Sequence, residues 1–134
     1  MWRAGETLSP RQVAITREQL VRYAGASGDY NPIHYDEERA REFGLPGVIA
    51  HGMLNMGLMA GMLLAAAPPG ARLERYGVRF RAMVRPGETV TIRATVKSVE
   101  ESAGEARAVV DVALAVEENP PAVAGEAVLV WPAP

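Results

Sequence analysis

The sequence predicts an α+β fold in which one antiparallel sheet wraps a long apolar helix, and three observations carry that expectation. Residues 48–67, VIAHGMLNMGLMAGMLLAAA, contain no charged side chain. From residue 76 onward the chain alternates apolar and polar residues, the period of half-buried strands. The 134 residues, 49% apolar and 22% charged, suit one domain over 1–134 with a sizeable core.

The elements follow in order. Thr16 to Ala26 reads as a helix with Thr16 as N-cap, Gln19 completing a capping box, and Leu20, Tyr23 and Ala24 on one face. Gly25 and Gly28 mark its end. DYNPIH, residues 29–34, cannot continue it, because Pro32 lacks an amide hydrogen and drives Asn31 towards an extended conformation. Asp36 to Phe43 gives a short polar helix that Gly44-Leu45-Pro46-Gly47 stops. The apolar helix then runs from about Val48 to Ala67 and ends at Pro68-Pro69-Gly70. That stretch is also long enough to span a bilayer, and Gly57 and Gly61 match a GxxxG pairing pattern. His51 and Asn55 near its start, and the absence of Lys/Arg clusters at its ends, argue against membrane insertion. A helix apolar on every side is then one buried on every side, with its glycines admitting a sheet.

Four long strands follow. Tyr76, Val78, Phe80, Ala82 and Val84 alternate with Gly77, Arg79, Arg81, Met83 and Arg85, and Pro86-Gly87 marks the turn. Val90, Ile92, Ala94 and Val96 form the next apolar set, and Ala108, Val110, Val112, Leu114 and Val116 the third. The last strand follows Asn119-Pro120-Pro121 and ends near Trp131. One apolar sheet face needs an apolar cover, and the long helix is the element of suitable character.

Composition narrows the function classes. A net charge of −2 gives no global attraction to nucleic acid or an anionic membrane. The absence of cysteine excludes disulfides, thiolate nucleophiles and Cys-ligated metal sites, and fits a reducing cytoplasm. The N-terminus, MWRAGE, lacks the apolar run of a secretory signal. Arg75, Arg79, Arg81 and Arg85 share one face of the first long strand, which is either a solvated face or a contact for phosphates or for an acidic partner helix.

Only two histidines exist, His34 and His51. Asp29 precedes His34 by five residues, and the proline-bent turn between them lets a carboxylate and an imidazole point into one space, as a paired acid–base site requires. The same residues also suit a plain turn in which Asp29 and Asn31 bond the local backbone and His34 is a satisfied, semi-buried side chain. Gly52 opens the apolar helix, where unpaired amides and a partial positive charge can hold a carbonyl oxygen as negative charge develops. His51 reads either as structural, bonded to a neighbouring carbonyl, or as part of the site. A metal held by Asp29, His34 and His51 is disfavoured, since the pair has an organic mechanism without one.

The stretch YAGASGDYNPIHYDEERAREFGLPGVIAHGMLNMG resembles the hydratase motif of MaoC-like (R)-specific enoyl-CoA hydratases and (3R)-hydroxyacyl-ACP dehydratases, specifically over Arg22 to Gly61 and more weakly to Trp131. The resemblance implies a hotdog fold, catalysis by Asp29 and His34, and a substrate-binding amide at Gly52. Asn31 and His51 join Gly52 as substrate-binding candidates. The substrate implied is an acyl-CoA or acyl-ACP thioester, with no cofactor. A serine found on the helix in some members is replaced by Ala60. The rivals are a hotdog acyl thioesterase, which has no use for His34 as an α-carbon acid, and a non-catalytic thioester-binding subunit. The open sheet edge expected of this fold favours a homodimer, with a related subunit as the alternative partner.

Overall fold

The computed structural model describes residues 1–134. A short strand β1 (Arg11–Ala14) is followed by helix α1 (Arg17–Ser27), a 3₁₀ turn (Pro32–His34), and helices α2 (Glu37–Glu42) and α3 (Gly52–Ala66). Strands β2 (Arg72–Phe80), β3 (Thr89–Ser102), β4 (Glu105–Val116) and β5 (Val123–Pro132) complete the chain. The five strands form one antiparallel sheet in the order β1-β3-β4-β5-β2.

The alternation does what it predicts in the middle of the sheet. Val90, Ile92, Ala94 and Val96 of β3, Ala108, Val110, Val112 and Leu114 of β4, and Ala127 and Leu129 of β5 are buried against Met59, Met62 and Leu63 of α3. Each such Val, Leu, Ile or Met side chain contributes about 1.5–3 kcal/mol relative to exposure. The β3–β4 hairpin closes through two residues, Ala103 at φ +53° and Gly104 at φ +80°, between the paired Ser102 and Glu105.

Several expectations are corrected. α3 starts at Gly52 rather than Val48, because the Ile49 amide donates to the Ile33 carbonyl at 3.0 Å and the Ala50 amide to the Val84 carbonyl at 2.7 Å. Those bonds hold the chain extended up to His51. Nor is α3 enclosed on every side: Met53, Gly57, Gly61 and Leu64 face outward, and a Cβ at Gly57 or Gly61 would meet nothing within 4 Å. The sheet covers one side of this helix, so these glycines mark no close approach.

β2 lies earlier than the alternation places it. The Arg81 and Ala82 amides both turn to the Ala122 carbonyl, at 2.7 and 3.2 Å, and pairing with β5 ends there. Only Arg75 and Arg79 therefore keep the shared strand face, while the Arg85 guanidinium turns to the Pro46 carbonyl at 3.5 Å. Pro86-Gly87 is a turn, closed by the Glu88 amide on the Arg85 carbonyl at 3.2 Å, but it links β2 and β3, which are not neighbours. The fifth strand, β1, is four residues of mostly exposed side chains and so leaves no readable period. No helix is long and apolar enough to cross a membrane.

Candidate active site

Local chemistry builds the loop that carries the pair. The Thr16–Gln19 capping box starts α1, and Gly28 ends it in the left-handed conformation at φ +76°, turning the chain sharply into Asp29. The Ser27 hydroxyl donates to the Tyr23 carbonyl at 2.7 Å and accepts from the Asp29 amide at 3.1 Å. The Asp29 carboxylate accepts from the Asn31 amide at 3.2 Å, and the Asn31 side-chain oxygen accepts from the Ile33 amide at 3.2 Å. Asn31 thus caps the 3₁₀ turn whose first residue is Pro32 and whose last is His34. Its oxygen is engaged in shaping the turn rather than offered to a substrate.

That turn brings the pair together. His34 Nε2 lies 3.8 Å from Asp29 Oδ2, with the His34 side chain 8% and the Asp29 side chain 50% exposed. On the other side of the ring, His34 Nδ1 lies 2.7 Å from the Ile49 carbonyl. A carbonyl only accepts, so Nδ1 carries hydrogen and Nε2 is the nitrogen that faces the carboxylate. The Ile49 segment is itself braced: the Val48 amide donates to the Glu37 carboxylate at 3.3 Å, and Arg17 and Arg41 pair with that carboxylate. The Arg17 hydrogen bond, against some burial, holds the Glu37 carboxyl below its ordinary range.

His51 is placed behind His34. Its ring stacks on His34 at 3.7 Å between centroids and 23° between planes, and Tyr23 meets it edge-on at 4.7 Å. His51 Nε2 donates to the Asp29 main-chain carbonyl at 3.3 Å, and the residue is 1% exposed. The structural alternative for His51 therefore matches its surroundings, and a direct substrate contact does not. Burial first, then the His34 charge, hold the His51 imidazole below its ordinary 6.5, outweighing the opposing bond and charge of Asp29.

That depression has a thermodynamic consequence. Below pH 6.5 the unfolded chain takes up a proton that folded His51 refuses, so stability that is complete above 6.5 is lost as pH falls through the lower folded value. We expect Tm to drop as pH falls below 6.5, and to drop less in His51→Phe. Parallel Tm profiles for the two proteins would remove His51 as the source.

Gly52 is the first residue of α3, with His51 as N-cap making no side-chain cap, so the Gly52 amide has no partner within the chain. Phe80 at the end of β2 packs over it; a Cβ at Gly52 would lie 3.0 Å from Phe80 Cε1. An apolar hollow of about 320 Å³, lined by Val21, Ala24, Tyr30 and Tyr35, flanks the loop. Asp29, His34 and His51 also place metal-type donor atoms within 4.8 Å of one another. Stacked rings direct their lone pairs along nearly parallel planes, however, and one nitrogen of each ring is committed to a carbonyl. That suits an acid–base pair better than an ion cradle.

Sequence reasoning pointed to Asp29, His34 and Gly52, with Asp29 and His34 side by side in the fold, but missed the Ile49 carbonyl, a backbone atom on which residue type is silent. It also missed Phe80, assigned there only to an apolar sheet face.

A hotdog-type sheet over a helix, with an Asp–His loop beside the helix start, defines a family, and the chain belongs to it: residues 3–119 match the MaoC like domain. Among its relatives, the (R)-specific enoyl-CoA hydratase of Rhodospirillum rubrum is 39% identical over 83 residues, covering 61% of this chain and 58% of that one. The 3-hydroxybutyryl-CoA dehydratase of Methylorubrum extorquens is 36% identical over 83 residues, covering 61% and 53%. The match thus spans only a little over half the length of these relatives. The solved R-hydratase PhaJ1 of Pseudomonas aeruginosa superposes with a TM-score of 0.87 at 25% identity, over 99% of this chain and 84% of that one.

Proposed function

We propose that the chain catalyses reversible syn addition of water to trans-2-enoyl thioesters, giving (3R)-3-hydroxyacyl thioesters. The observation that carries this reading is the 3.8 Å separation of His34 Nε2 and Asp29 Oδ2, with Nδ1 tied off on the Ile49 carbonyl. One water held by both groups meets the alkene from one face. Asp29 takes a proton from that water as its oxygen bonds to the β-carbon. The π electrons move to the α-carbon and thioester oxygen, and imidazolium His34 delivers its Nε2 proton to the α-carbon. Transfer of the Asp29 proton back to His34 Nε2 restores the pair, and dehydration runs the same steps in reverse. The Gly52 amide receives the enolate-like oxygen, a role worth about 2.7–4 kcal/mol where one such donor is lost. No cofactor enters these steps, because the thioester already activates the α-position. The named hydratase and dehydratase relatives support the same chemistry.

The direct test is hydration of crotonyl-CoA by the purified chain, followed by loss of enoyl absorbance and chiral analysis of the product. The (R)-alcohol is expected; release of free thiol instead would establish the thioesterase alternative. Gly52→Val is expected to lower kcat and raise KM together, whereas Gly52→Ala, which asks the half-exposed Phe80 ring to give by a few tenths of an ångström, is expected to be milder. Loss of Tm alone, with turnover intact, would remove the amide from the reaction.

The nine residues of β2 pair on one side only, leaving a free sheet edge, and Asp29 stands half exposed in the single chain. We assign the active form as a homodimer on an acyl-CoA or acyl-ACP substrate. Light scattering after size exclusion tests it: a monomer that becomes active only on adding a related subunit would replace this assignment with a heterodimer.

A further inference from the structure

One turn into α3, Asn55 is 2% exposed and its Oδ1 has no hydrogen-bond partner; on the neighbouring His51, Nδ1 is buried and has none either. Residues four apart lie on one side of a helix, and the Asn55 amide donates to the His51 carbonyl at 3.3 Å, so both orphan atoms spring from one hydrogen-bonded turn. As placed, both are acceptors. Asn55 Oδ1 is one by nature, and His51 Nδ1 is one because the single proton of the neutral ring sits on Nε2, facing the Asp29 carbonyl. Buried acceptors without donors are rare in folded chains. One bound water donating to both satisfies the two at once, and so does the amide turned by 180°, which offers Nδ2 in place of Oδ1 at the same shape.

We infer that Asn55 is a positioning residue for the acid–base site, supplying a hydrogen bond, directly or through one water, to His51 Nδ1. That bond keeps Nδ1 unprotonated and the proton on Nε2, where it holds the Asp29 main chain beside His34. In the other tautomer, Nε2 would turn a lone pair against the Asp29 carbonyl and push the loop away. The catalytic consequence rests on the hydratase reading of Asp29 and His34; the tautomer does not.

Because the chain has only two histidines, ¹⁵N NMR of its imidazoles reads both directly. The expected wild-type spectrum has His51 protonated at Nε2 alone, with its Nδ1 accepting a hydrogen bond, and His34 carrying hydrogen on Nδ1 whether or not its Nε2 is protonated too. Asn55→Val and Asn55→Thr are alike in shape, but only threonine keeps an O–H donor. Asn55→Val is expected to move His51 towards the Nδ1–H tautomer and to lower kcat about tenfold at unchanged KM, the size of one lost hydrogen bond. Asn55→Thr is expected to retain the Nε2–H tautomer and most of the rate. His51 protonated at Nδ1 in the wild type, or a His51 spectrum that Asn55→Val leaves unchanged, would overturn the inference. The tautomers are read without substrate, so an inactive wild-type protein showing them would sink the hydratase reading alone. Should the valine variant fail to fold, the wild-type and threonine spectra decide.

Discussion

Asp29→Asn is expected to lower kcat for hydration by roughly 10²–10⁴-fold while leaving Tm close to wild type. The substitution keeps the oxygen that accepts from the Asn31 amide at 3.2 Å, so the turn carrying His34 retains its hydrogen bond. It replaces the carboxylate oxygen 3.8 Å from His34 Nε2 with an amide that cannot take a proton from water. Because the side chain is half exposed, little packing is disturbed. Circular dichroism and a thermal melt establish the fold, and initial rates on crotonyl-CoA read the loss. Turnover near wild type would remove Asp29 from the proton path.

His34→Ala is expected to cost a similar factor in kcat, and stability as well. The side chain is 8% exposed, donates to the Ile49 carbonyl at 2.7 Å and stacks on His51 at 3.7 Å. Removing it strands a carbonyl, worth about 1–3 kcal/mol where that group is left unsatisfied. His34→Asn separates the two effects: its amide nitrogen can reproduce the Nδ1 donor but supplies no acid at the Nε2 position. Stability is then expected to recover and turnover to stay low. If the asparagine variant recovered its rate along with its Tm, His34 would be a structural residue and not the acid.

The residues that could be read from the sequence are those whose chemistry acts on near neighbours. Thr16 and Gln19 cap α1 across three positions, and Asn31-Pro32 builds the turn that joins Asp29 to His34 across five. The buried sets of β3 and β4 follow directly from period-two alternation. What was hidden depends on distant backbone partners. Hydropathy runs smoothly through Val48–His51, and only the bonds to Ile33 and Val84 show that α3 cannot start there. The end of β2 is likewise set by the Ala122 carbonyl and not by a change in its own alternation. His51 illustrates both limits, since its spacing admits a substrate contact and only its stacking and its Asp29 carbonyl partner turn it into a support.

The Ala103-Gly104 apex bears on how the chain folds. β3 and β4 zip together across a two-residue gap, whereas β2 must wait for β5 to arrive from more than forty residues away, at a larger loop-closure cost. The hairpin is therefore the natural nucleus, yet its apex holds an alanine at φ +53°, a conformation that asparagine adopts more readily. Ala103→Asn is expected to speed refolding while barely changing the unfolding rate. A chevron plot in which only the unfolding arm moved would place the nucleus elsewhere.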